Sequence, residues 1–307
     1  MGEKSLSAFV AQEARESYIG TAPRVELWVL LEYPEWWDSK VIAKSRLSFQ
    51  VKTWLEHAKK LYPHTRVQLI KRHSQPEEGM TCFIGISQED RQALYQFQLQ
   101  CYEDVLDLDL PAIVARQALY DPFLFKEPLF LVCTHEEHNH CCGTFGLPLY
   151  VELVNALKEH AWQTTHLGGD RFAANMVCLP HGIYYGRVTI PEIEGLVYAT
   201  RNQQVYSQAY RGRTCYPSAV QVADAFLRKL LNRPELDAFR FASMQEIAKD
   251  RWTVSFESAG DQTLHRLSIV KEKGALGRYS GCQGVETCHI GSYRLSGYEM
   301  QEACMKE

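Results

Sequence analysis

Apolar and polar positions in the first third of the chain follow the periods of strands and of one helix. Apolar runs or period-two alternation predict strands at 24–33, 66–73, 81–88 and 94–102, the last two as an antiparallel pair. Apolar residues at helical spacing predict a helix over 47–62, with Ser45 as its N-cap. The pattern therefore indicates a strand, a helix, a second strand and then a pair of strands.

The same order of elements begins again at residue 128. An apolar strand is predicted over 128–135, a helix over 147–161, a strand over 162–169, and then two further strands, one within 170–180 and one over 183–190. No sequence repeat accompanies this second series, so the repeat is one of element order. This order matches that of a thioredoxin-like unit, and we expect an α/β fold with duplicated thioredoxin-like domains and mixed sheets.

The rest of the chain does not continue this order. Helices are predicted over 1–20, 192–204 and 218–232, strands over 251–258, 264–272 and 289–300, and a mobile glycine-rich loop over 272–287. We therefore expect a degenerate thioredoxin-like half at 1–120, a second half at 121–195 that carries the chemistry described below, and a C-terminal α+β extension at 196–307 packed on both.

Composition excludes several classes of function. The formal charge of -4 provides no basic surface for nucleic acid, and no run reaches the ~18 apolar residues of a membrane span. The first residues lack the apolar segment of a secretory signal. We therefore expect a cytoplasmic protein with reduced thiols, and neither a nucleic acid nor a membrane as partner.

Cysteine and histidine are concentrated in the segment 131–146. Cys133, Cys141 and Cys142 share it with three histidines, and no C-x-x-C motif occurs in the chain. Adjacent cysteine side chains diverge, so one of Cys141 and Cys142 is expected to bind a metal and the other to pack. The cysteines that stand alone are expected to be small buried residues: Cys82, Cys101, Cys178, Cys215, Cys282 and Cys304.

A second candidate segment lies at 165–188. There His166 and Asp170 flank a Leu-Gly-Gly turn, whose glycines allow the backbone to pass close to a bulky cofactor. From spacing alone, His166 is equally a ligand, a helix cap or a core residue. The three histidines of the first segment alternate with polar residues, which favours a solvated loop tip over a group that tunes a metal.

The two segments together carry a family resemblance. The pattern CTHxxxxxCC followed by HLGGxRFAANxxxxPxGxxYGRV resembles the sucrase/ferredoxin-like family, and the likeness covers most of residues 25–260. It implies a thioredoxin-like ferredoxin domain with a [2Fe-2S] cluster, bound by two cysteines on one iron and two histidines on the other. Carried onto this chain, the ligands are Cys133, Cys142 and His166, with Cys141 as the alternative to Cys142.

The second histidine of the family pattern falls at Asp170 in this chain. Aspartate binds iron as an anion, so an aspartate ligand would lower the reduction potential relative to an imidazole. Two alternatives stay open: one of His135, His138, His140 and His181 takes its place, or the chain binds no cluster.

Arginine and asparagine side chains lie in the same family-like segment. Arg171, Asn175 and Arg187 are expected to surround the cofactor, where an arginine would offset its negative charge. An ion pair that holds a strand to a helix is the alternative interpretation of each arginine. Arg211 and Arg213, in the later segment YRGRTCY, carry the same two interpretations.

Three functions are compatible with these residues. We expect electron transfer or redox sensing, with a reductase or another redox protein as partner, so that the chain is a carrier more than a stand-alone enzyme. A non-redox zinc site at Cys133, Cys142, His166 and Asp170 is the first alternative. A thiol-dependent oxidoreductase with Cys141 or Cys142 as its nucleophile is the second.

Overall fold

The computed structural model describes residues 17–72, 79–138, 140–281 and 284–301, with the backbone alone at 273–281 and 284–291. The strands in this part of the chain are β1 (Leu27–Glu32), β2 (Thr65–Lys71), β3 (Met80–Ser87), β4 (Gln92–Leu99), β5 (Leu129–Cys133), β6 (Ala161–Thr164), β7 (Met176–Leu179), β8 (Ile183–Tyr185), β9 (Tyr210–Arg213), β10 (Phe239–Ala248), β11 (Arg251–Ser258), β12 (Leu264–Gly281) and β13 (Gly284–Gln301). The α-helices of the same residues are α1 (Val41–Lys44), α2 (Phe49–Leu61), α3 (Leu110–Val114), α4 (Leu147–Leu157), α5 (Ile193–Arg201) and α6 (Ser218–Leu231). No helix of these described ranges is long and apolar enough to cross a membrane.

One mixed sheet of nine described strands contains both halves of the predicted α/β region. Its strand order is β4-β3-β1-β2-β6-β5-β7-β8-β9. In the first half β1 is parallel to β2 and antiparallel to β3, which pairs with β4. In the second half β5 is parallel to β6 and antiparallel to β7, which pairs with β8. The predicted repeat of element order is therefore present, and antiparallel pairing of β2 with β6 joins the halves.

The first half shows why its sequence forms these elements. Every residue of β1 is buried, as expected for a strand that is covered on both faces of the sheet. Helix α2 covers one face with Val51, Leu55 and Ala58 at helical spacing. Its cap is Ser48, whose hydroxyl accepts a hydrogen bond from the Val51 N–H at 3.4 Å. The predicted cap, Ser45, instead follows α1, where its hydroxyl closes the last turn of that helix.

Each half has its own hydrophobic core, and a third core lies between them. In this third core Trp28 of β1 stacks against Tyr184 of β8, with 6.3 Å between ring centroids. Phe83 of β3 meets the ring of Trp162 of β6 edge-on at 5.6 Å. Cys133 also belongs to this core, so the junction of the halves supports the candidate metal ligands directly.

A separate antiparallel sheet, β10-β11-β12-β13, follows α6. Phe256 and Leu267 on this sheet pack with Val220 and Leu227 of α6. The fold is therefore mixed α/β, with a nine-stranded sheet and a four-stranded sheet in the described residues. The three predicted domain ranges stay predictions.

Several elements of the structure differ from those predicted from the sequence. The stretch 272–287, predicted as a loop, contains the end of β12 and the start of β13, because an antiparallel backbone ladder does not depend on side chains. Strands β9 and β10 were not predicted, since β9 has only four residues and β10 is mostly exposed. The helix predicted at 1–20 falls largely outside the described residues.

The lone cysteines only partly follow their predicted burial. Cys82 and Cys178 are buried, as predicted, and Cys215 is partly buried. Cys101 is exposed instead, because it lies between the end of β4 and a 3₁₀ turn rather than inside a strand. The list of lone cysteines also includes two that lie outside the described residues, Cys282 and Cys304.

Candidate metal centre

Two parallel strands bring a cysteine and a histidine to the same edge of the sheet. Cys133 is the last residue of β5, and its N–H donates to the carbonyl of Asn175 at 3.0 Å. His166 follows the end of β6 by two residues. The carboxyl ends of neighbouring parallel strands point to one edge, so strand direction alone places these two side chains together.

The second cysteine comes from the turn that opens helix α4. Cys142 begins a single π-helical turn, Cys142–Gly146, that runs directly into α4. At the end of this turn Gly146 lies against the carbonyl group of Cys133, where any side chain would collide with the backbone. A glycine is therefore required at 146 to bring the start of α4, and with it Cys142, onto the end of β5.

Three donor atoms converge at this point. His166 Nδ1 lies 3.9 Å from Cys133 Sγ and 3.5 Å from Cys142 Sγ. The three side chains form a group that can hold a metal ion, with all donor atoms within 4.8 Å of one another. Both cysteines are 1% exposed, whereas His166 is partly exposed. Two thiols and an imidazole are the donors that zinc, copper(I) and iron–sulfur clusters prefer.

The two thiols do not ionise equally. Burial opposes ionisation of Cys133, but hydrogen bonds from Cys142 and His166 outweigh it and hold the pKa of Cys133 well below its usual value. The hydrogen bond to Cys133, and then burial, raise the pKa of Cys142 well above its usual value. Cys133 is therefore the thiol of the pair that ionises more readily, and Cys142 is the hydrogen-bond donor to it. A thiolate is the form that binds metals.

His135 supports the centre without providing a donor to it. It is 3% exposed, which corrects the interpretation of a solvated loop tip for this residue. Its Nδ1 accepts from the His166 N–H at 3.4 Å, so its Nε2–H donates to the carbonyl of Asp38 at 3.0 Å. With both ring nitrogens engaged, His135 fixes the backbone at His166 and is corrected from an alternative ligand to a supporting residue.

His138 and Asp170 border the three donors. The His138 ring lies 4.1 Å from the His166 ring, centroid to centroid, and it donates a hydrogen bond to the backbone carbonyl of Ser39. Burial, and then the neighbouring His166, lower the pKa of His138. Asp170 acts electrostatically on both His138 and Cys142. The group of donors within 4.8 Å of one another comprises Cys133, Cys142 and His166 and includes neither His138 nor Asp170.

The other predicted ligands lie outside the group of three mutually close donors, and binding by Cys141 in place of Cys142 stays a prediction. Cys141 is buried against Ala173 in a small separate core. His140 Nδ1 pairs with Glu136 at 3.1 Å, and both side chains are about half exposed. His181 lies in the turn after β7, at the opposite end of that strand from Asn175, so strand direction separates it from the site.

The predicted cofactor-binding residues take different places. Asn175 borders the site: its side-chain amide donates to the carbonyl of Gly169 at 2.8 Å. Arg171 lies over the ring of Phe172 at 4.5 Å, and Arg187 lies over the same ring at 5.5 Å. Cofactor binding by these three residues stays a prediction.

A further arginine lies at the site, and the sequence analysis left two interpretations open for it: compensation of the cofactor's charge and an ion pair. Arg211 of β9 donates to the side-chain oxygen of Asn175 at 2.7 Å and to the carbonyl of Gly168 at 3.1 Å. Arg211 is far from His166 in the sequence, and only its place in the segment YRGRTCY indicated a role for it.

The fold and this site define a mixed α/β protein with a buried cysteine–histidine group that can bind a metal. The chain belongs to the sucrase/ferredoxin-like family, whose model matches residues 18–212. It is 32% identical over 97 residues to altered inheritance of mitochondria protein 32 of Meyerozyma guilliermondii, a match that covers 28% of this chain and 34% of that protein. The chain thus spans about a third of the length of this curated relative. No solved structure matches the chain.

Proposed function

We propose that the chain is an electron-transfer or redox-sensing protein that binds a [2Fe-2S] cluster. The observation that carries the proposal is the convergence of Cys133, Cys142 and His166 within 4.8 Å in a member of the sucrase/ferredoxin-like family. Iron–sulfur clusters need thiolates and take imidazole on one iron when the potential is high. The donor set therefore fits the group.

The chain offers its donors as two unlike pairs. The thiols of Cys133 and Cys142 are buried and would hold one iron, whereas His166 would hold the other together with Asp170 or His138. When bound, the group supplies reversible one-electron chemistry. The residues around it exclude water from the sulfur side, while the partly exposed histidine side faces the surface.

This asymmetry suggests where electrons enter and leave. Because His166 is partly exposed and Cys133 is not, a partner approaches most closely on the histidine side. We propose a reductase or another redox protein as that partner. The protein then acts as a carrier whose own side chains position the group rather than transform a substrate.

The fourth ligand is the point at which this chain departs from the family pattern. We propose Asp170, which matches the second histidine of the family, with His138 as the alternative, since it lies against His166. Asp170→Asn and His138→Ala, each compared with His140→Ala, separate the two. The ligand's variant loses the nitrogen- or oxygen-bound iron signal, and the other two variants keep it.

The test of the proposal is metal analysis of anaerobically purified full-length chain. We expect iron and acid-labile sulfide in equal amounts, a visible spectrum of a reddish-brown protein, and a paramagnetic signal after one-electron reduction. Cys142→Ser is expected to abolish all three, and Cys141→Ser, its neighbour, to retain them. Colourless protein without iron would contradict the proposal.

A zinc site is the second candidate, because one measured feature favours it. A tetrahedral zinc ion with ordinary bond lengths places a sulfur and a nitrogen ligand about 3.5 Å apart. The distances from His166 Nδ1 to the two sulfurs, 3.5 and 3.9 Å, are close to this value. One zinc per chain, with no iron and no sulfide after anaerobic purification, would favour this candidate over the cluster.

A thiol-dependent enzyme is the weakest of the three candidates. The nucleophile of such an enzyme must meet its substrate, and Cys141 and Cys142 are each 1% exposed. Alkylation of the native protein is therefore expected to be slow at both positions.

We also interpret the repeated strand order as two thioredoxin-like units. The support is that β1–β4 and β5–β8 share their order and their directions. The three domain ranges and the cytoplasmic location remain proposals. The name of the Meyerozyma guilliermondii relative refers to mitochondria, so imaging of a tagged chain must decide between the two compartments.

A further inference from the structure

A buried arginine beside the metal centre has only neutral acceptors. Arg211 is 1% exposed. Its Nε and Nη2 donate to the side-chain and backbone oxygens of Thr21 at 3.1 and 2.9 Å. Its Nη1 donates to Gly168 O and Asn175 Oδ1. These acceptors satisfy the hydrogen-bonding geometry of the guanidinium but leave its positive charge uncompensated.

Two other arginines with largely buried side chains form ion pairs with carboxylates, whereas the buried Arg213 donates to Tyr216 and Leu236 and is stabilised by the charge of Asp224. Arg72 contacts Glu32 at 3.0 Å, and Arg228 contacts Asp224 at 3.0 Å. No carboxylate of the described residues lies within 4.0 Å of Arg211. A buried charge without a partner is costly, so its presence indicates that a negative charge forms nearby.

The contacts of Arg211 place it beside the loop that carries His166. Burial, and then the positive charges of Arg171 and Arg66, lower the pKa of Arg211 to about 10, whereas Tyr184 and the Cys133 thiolate act in the opposite direction. Arg66 itself donates to the carbonyl of His166 at 2.7 Å. Positive groups thus surround the loop after β6. Asn175, whose side-chain oxygen accepts from Arg211 at 2.7 Å, also accepts from the Cys133 N–H through its backbone carbonyl at 3.0 Å, so Arg211 lies one residue away from a metal ligand.

The local structure holds the guanidinium in this position. It lies over the rings of Phe172 and Tyr184, at 5.2 and 5.5 Å from their centroids. Gly169 has φ +74 and passes so close that a Cβ there would meet the guanidinium. Gly169 therefore allows the loop after His166 to lie directly on Arg211.

We infer that Arg211 is a positioning residue that compensates the negative charge of the metal centre and favours its reduced state. The inference rests on the proposed function and deepens it. Reduction adds one electron to the group without breaking a bond, so its charge becomes more negative by one. A fixed buried cation nearby stabilises that state and raises the reduction potential.

The experiment measures the midpoint potential of the holo-protein by a spectroscopic titration with electrode-poised mediators. Arg211→Gln removes the charge and is expected to lower the potential, while Arg211→Lys keeps the charge and is expected to remain near the unmodified protein. Arg213→Gln is the matched control, because Arg213 lies two residues along the same strand and is also buried, but it donates toward Tyr216 and Leu236. We expect no shift in that variant.

Two results would overturn the inference. One is an unchanged potential in Arg211→Gln with full iron and sulfide content, and the other is an equal shift in the lysine and glutamine variants, which would indicate a purely structural role. If Arg211→Gln does not fold, Asn175→Asp replaces it, since a carboxylate at this position would contact Nη1 at the observed 2.7 Å. That variant is expected to have a lower potential, and an unchanged one would likewise overturn the inference.

Failure of the proposed function gives a different result from failure of the inference. If the unmodified protein contains zinc or no metal, the proposed function is wrong and the role of Arg211 falls with it. If the unmodified protein contains the cluster and its reduction potential does not change when the charge at position 211 is removed, only the role of Arg211 is wrong.

Discussion

The two halves of the nine-stranded sheet place different side chains at the same position of the same backbone frame. Glu32, the last residue of β1, pairs with Ile70 of β2. Cys133, the last residue of β5, pairs with Thr164 of β6 in the same parallel arrangement. Counting two residues onward from each partner leads to Arg72 in the first half and to His166 in the second.

The side chains at these matching positions interact in different ways in the two halves. In the first half Arg72 Nε donates to Glu32 Oε1 at 3.0 Å, so the pair compensates its own charge. In the second half Cys133 and His166 form no such closed pair, and Cys142 adds a second sulfur. The same strand arrangement therefore carries a charge-compensated ion pair in the first half and a group of side chains that can hold a metal in the second half.

The next strand of each half extends this comparison. Thr81 of β3 lies opposite Glu32 and donates its N–H to that carboxylate at 2.8 Å, and Arg72 donates to its hydroxyl at 3.1 Å. Asn175, which precedes β7, lies opposite Cys133 and accepts from Arg211 instead. Each half therefore has an arginine at this edge of the sheet, but only Arg72 of the first half is paired with a carboxylate, that of Glu32.

Removal of a ligand from the second half gives the largest expected effect. We expect Cys133→Ser to lose all bound iron, because two thiolates are needed and Cys142 alone remains. Cys82→Ala, at a buried cysteine of the first half, is the matched control and is expected to keep a full complement. The measurement is the iron and sulfide content per chain. Retention of iron by Cys133→Ser would contradict the assignment of the metal site to the second half.

Removal of the carboxylate from the first half is expected to affect stability and not metal content. Glu32→Ala leaves Arg72 unpaired in a largely buried position, and we expect a loss of about 3 kcal/mol in the free energy of unfolding. Denaturant titration measures this loss. The double variant Glu32→Leu with Arg72→Met should recover most of the stability, and an unchanged midpoint for Glu32→Ala would contradict the account.

A smaller effect is expected from the hairpin turn between β7 and β8. Burial, with a contribution from Arg213, lowers the pKa of His181 to about 4. A histidine in the unfolded chain has a pKa of about 6.5, so as the pH falls the unfolded chain binds a proton before folded His181 does. The stability is therefore full above pH ~6.5 and falls as the pH drops toward 4. Unfolding free energies at several pH values should show a loss of at most about 1.4 kcal/mol per pH unit.

The variant His181→Gln should remove this part of the pH dependence. His57→Gln, at an exposed histidine of α2, is the matched control for loss of a histidine in general. Identical slopes in His181→Gln and in the unmodified protein would show that another group carries the pH dependence.

The smallest expected effect is at the surface of the first half. Lys59 pairs with Glu56 one turn earlier on α2 at 2.6 Å, and both side chains remain at least a third exposed. Lys59→Ala should change the free energy of unfolding by only about 0.3 kcal/mol, because water and salt screen such pairs. Denaturant titration measures this change. A loss above ~1 kcal/mol would contradict the expectation that the exposed pair Lys59–Glu56 contributes much less to stability than the buried pair Arg72–Glu32.

Much of the sheet was predictable because its strands have strong local signals. Strand β1 is an apolar run bounded by turn residues, and α2 has a clear helical period, so both appear near their predicted bounds. The outer parts of β12 and β13 were predicted as strands, but the parts that fall within 272–287 were missed because the glycines there favour a loop in isolation. The ladder of this hairpin depends on the partner strand, which no local window contains.

The candidate site was predictable only where a motif carried it. Cys133, Cys142 and His166 follow from the family pattern, and the structure brings these three together. The ion pair of Glu32 with Arg72 had no signal of its own in the sequence, because its partners are 40 residues apart. Long-range pairs of this kind become visible only when strand register is known.

The most direct test of the central claim is Mössbauer spectroscopy of the chain enriched in ⁵⁷Fe. A sulfur-ligated iron and an iron with nitrogen or oxygen ligands have different electronic environments. The account predicts two iron signals of equal area, of which only one changes strongly when His166 is replaced by alanine. A single iron signal, or no bound iron in anaerobically purified protein, would contradict it.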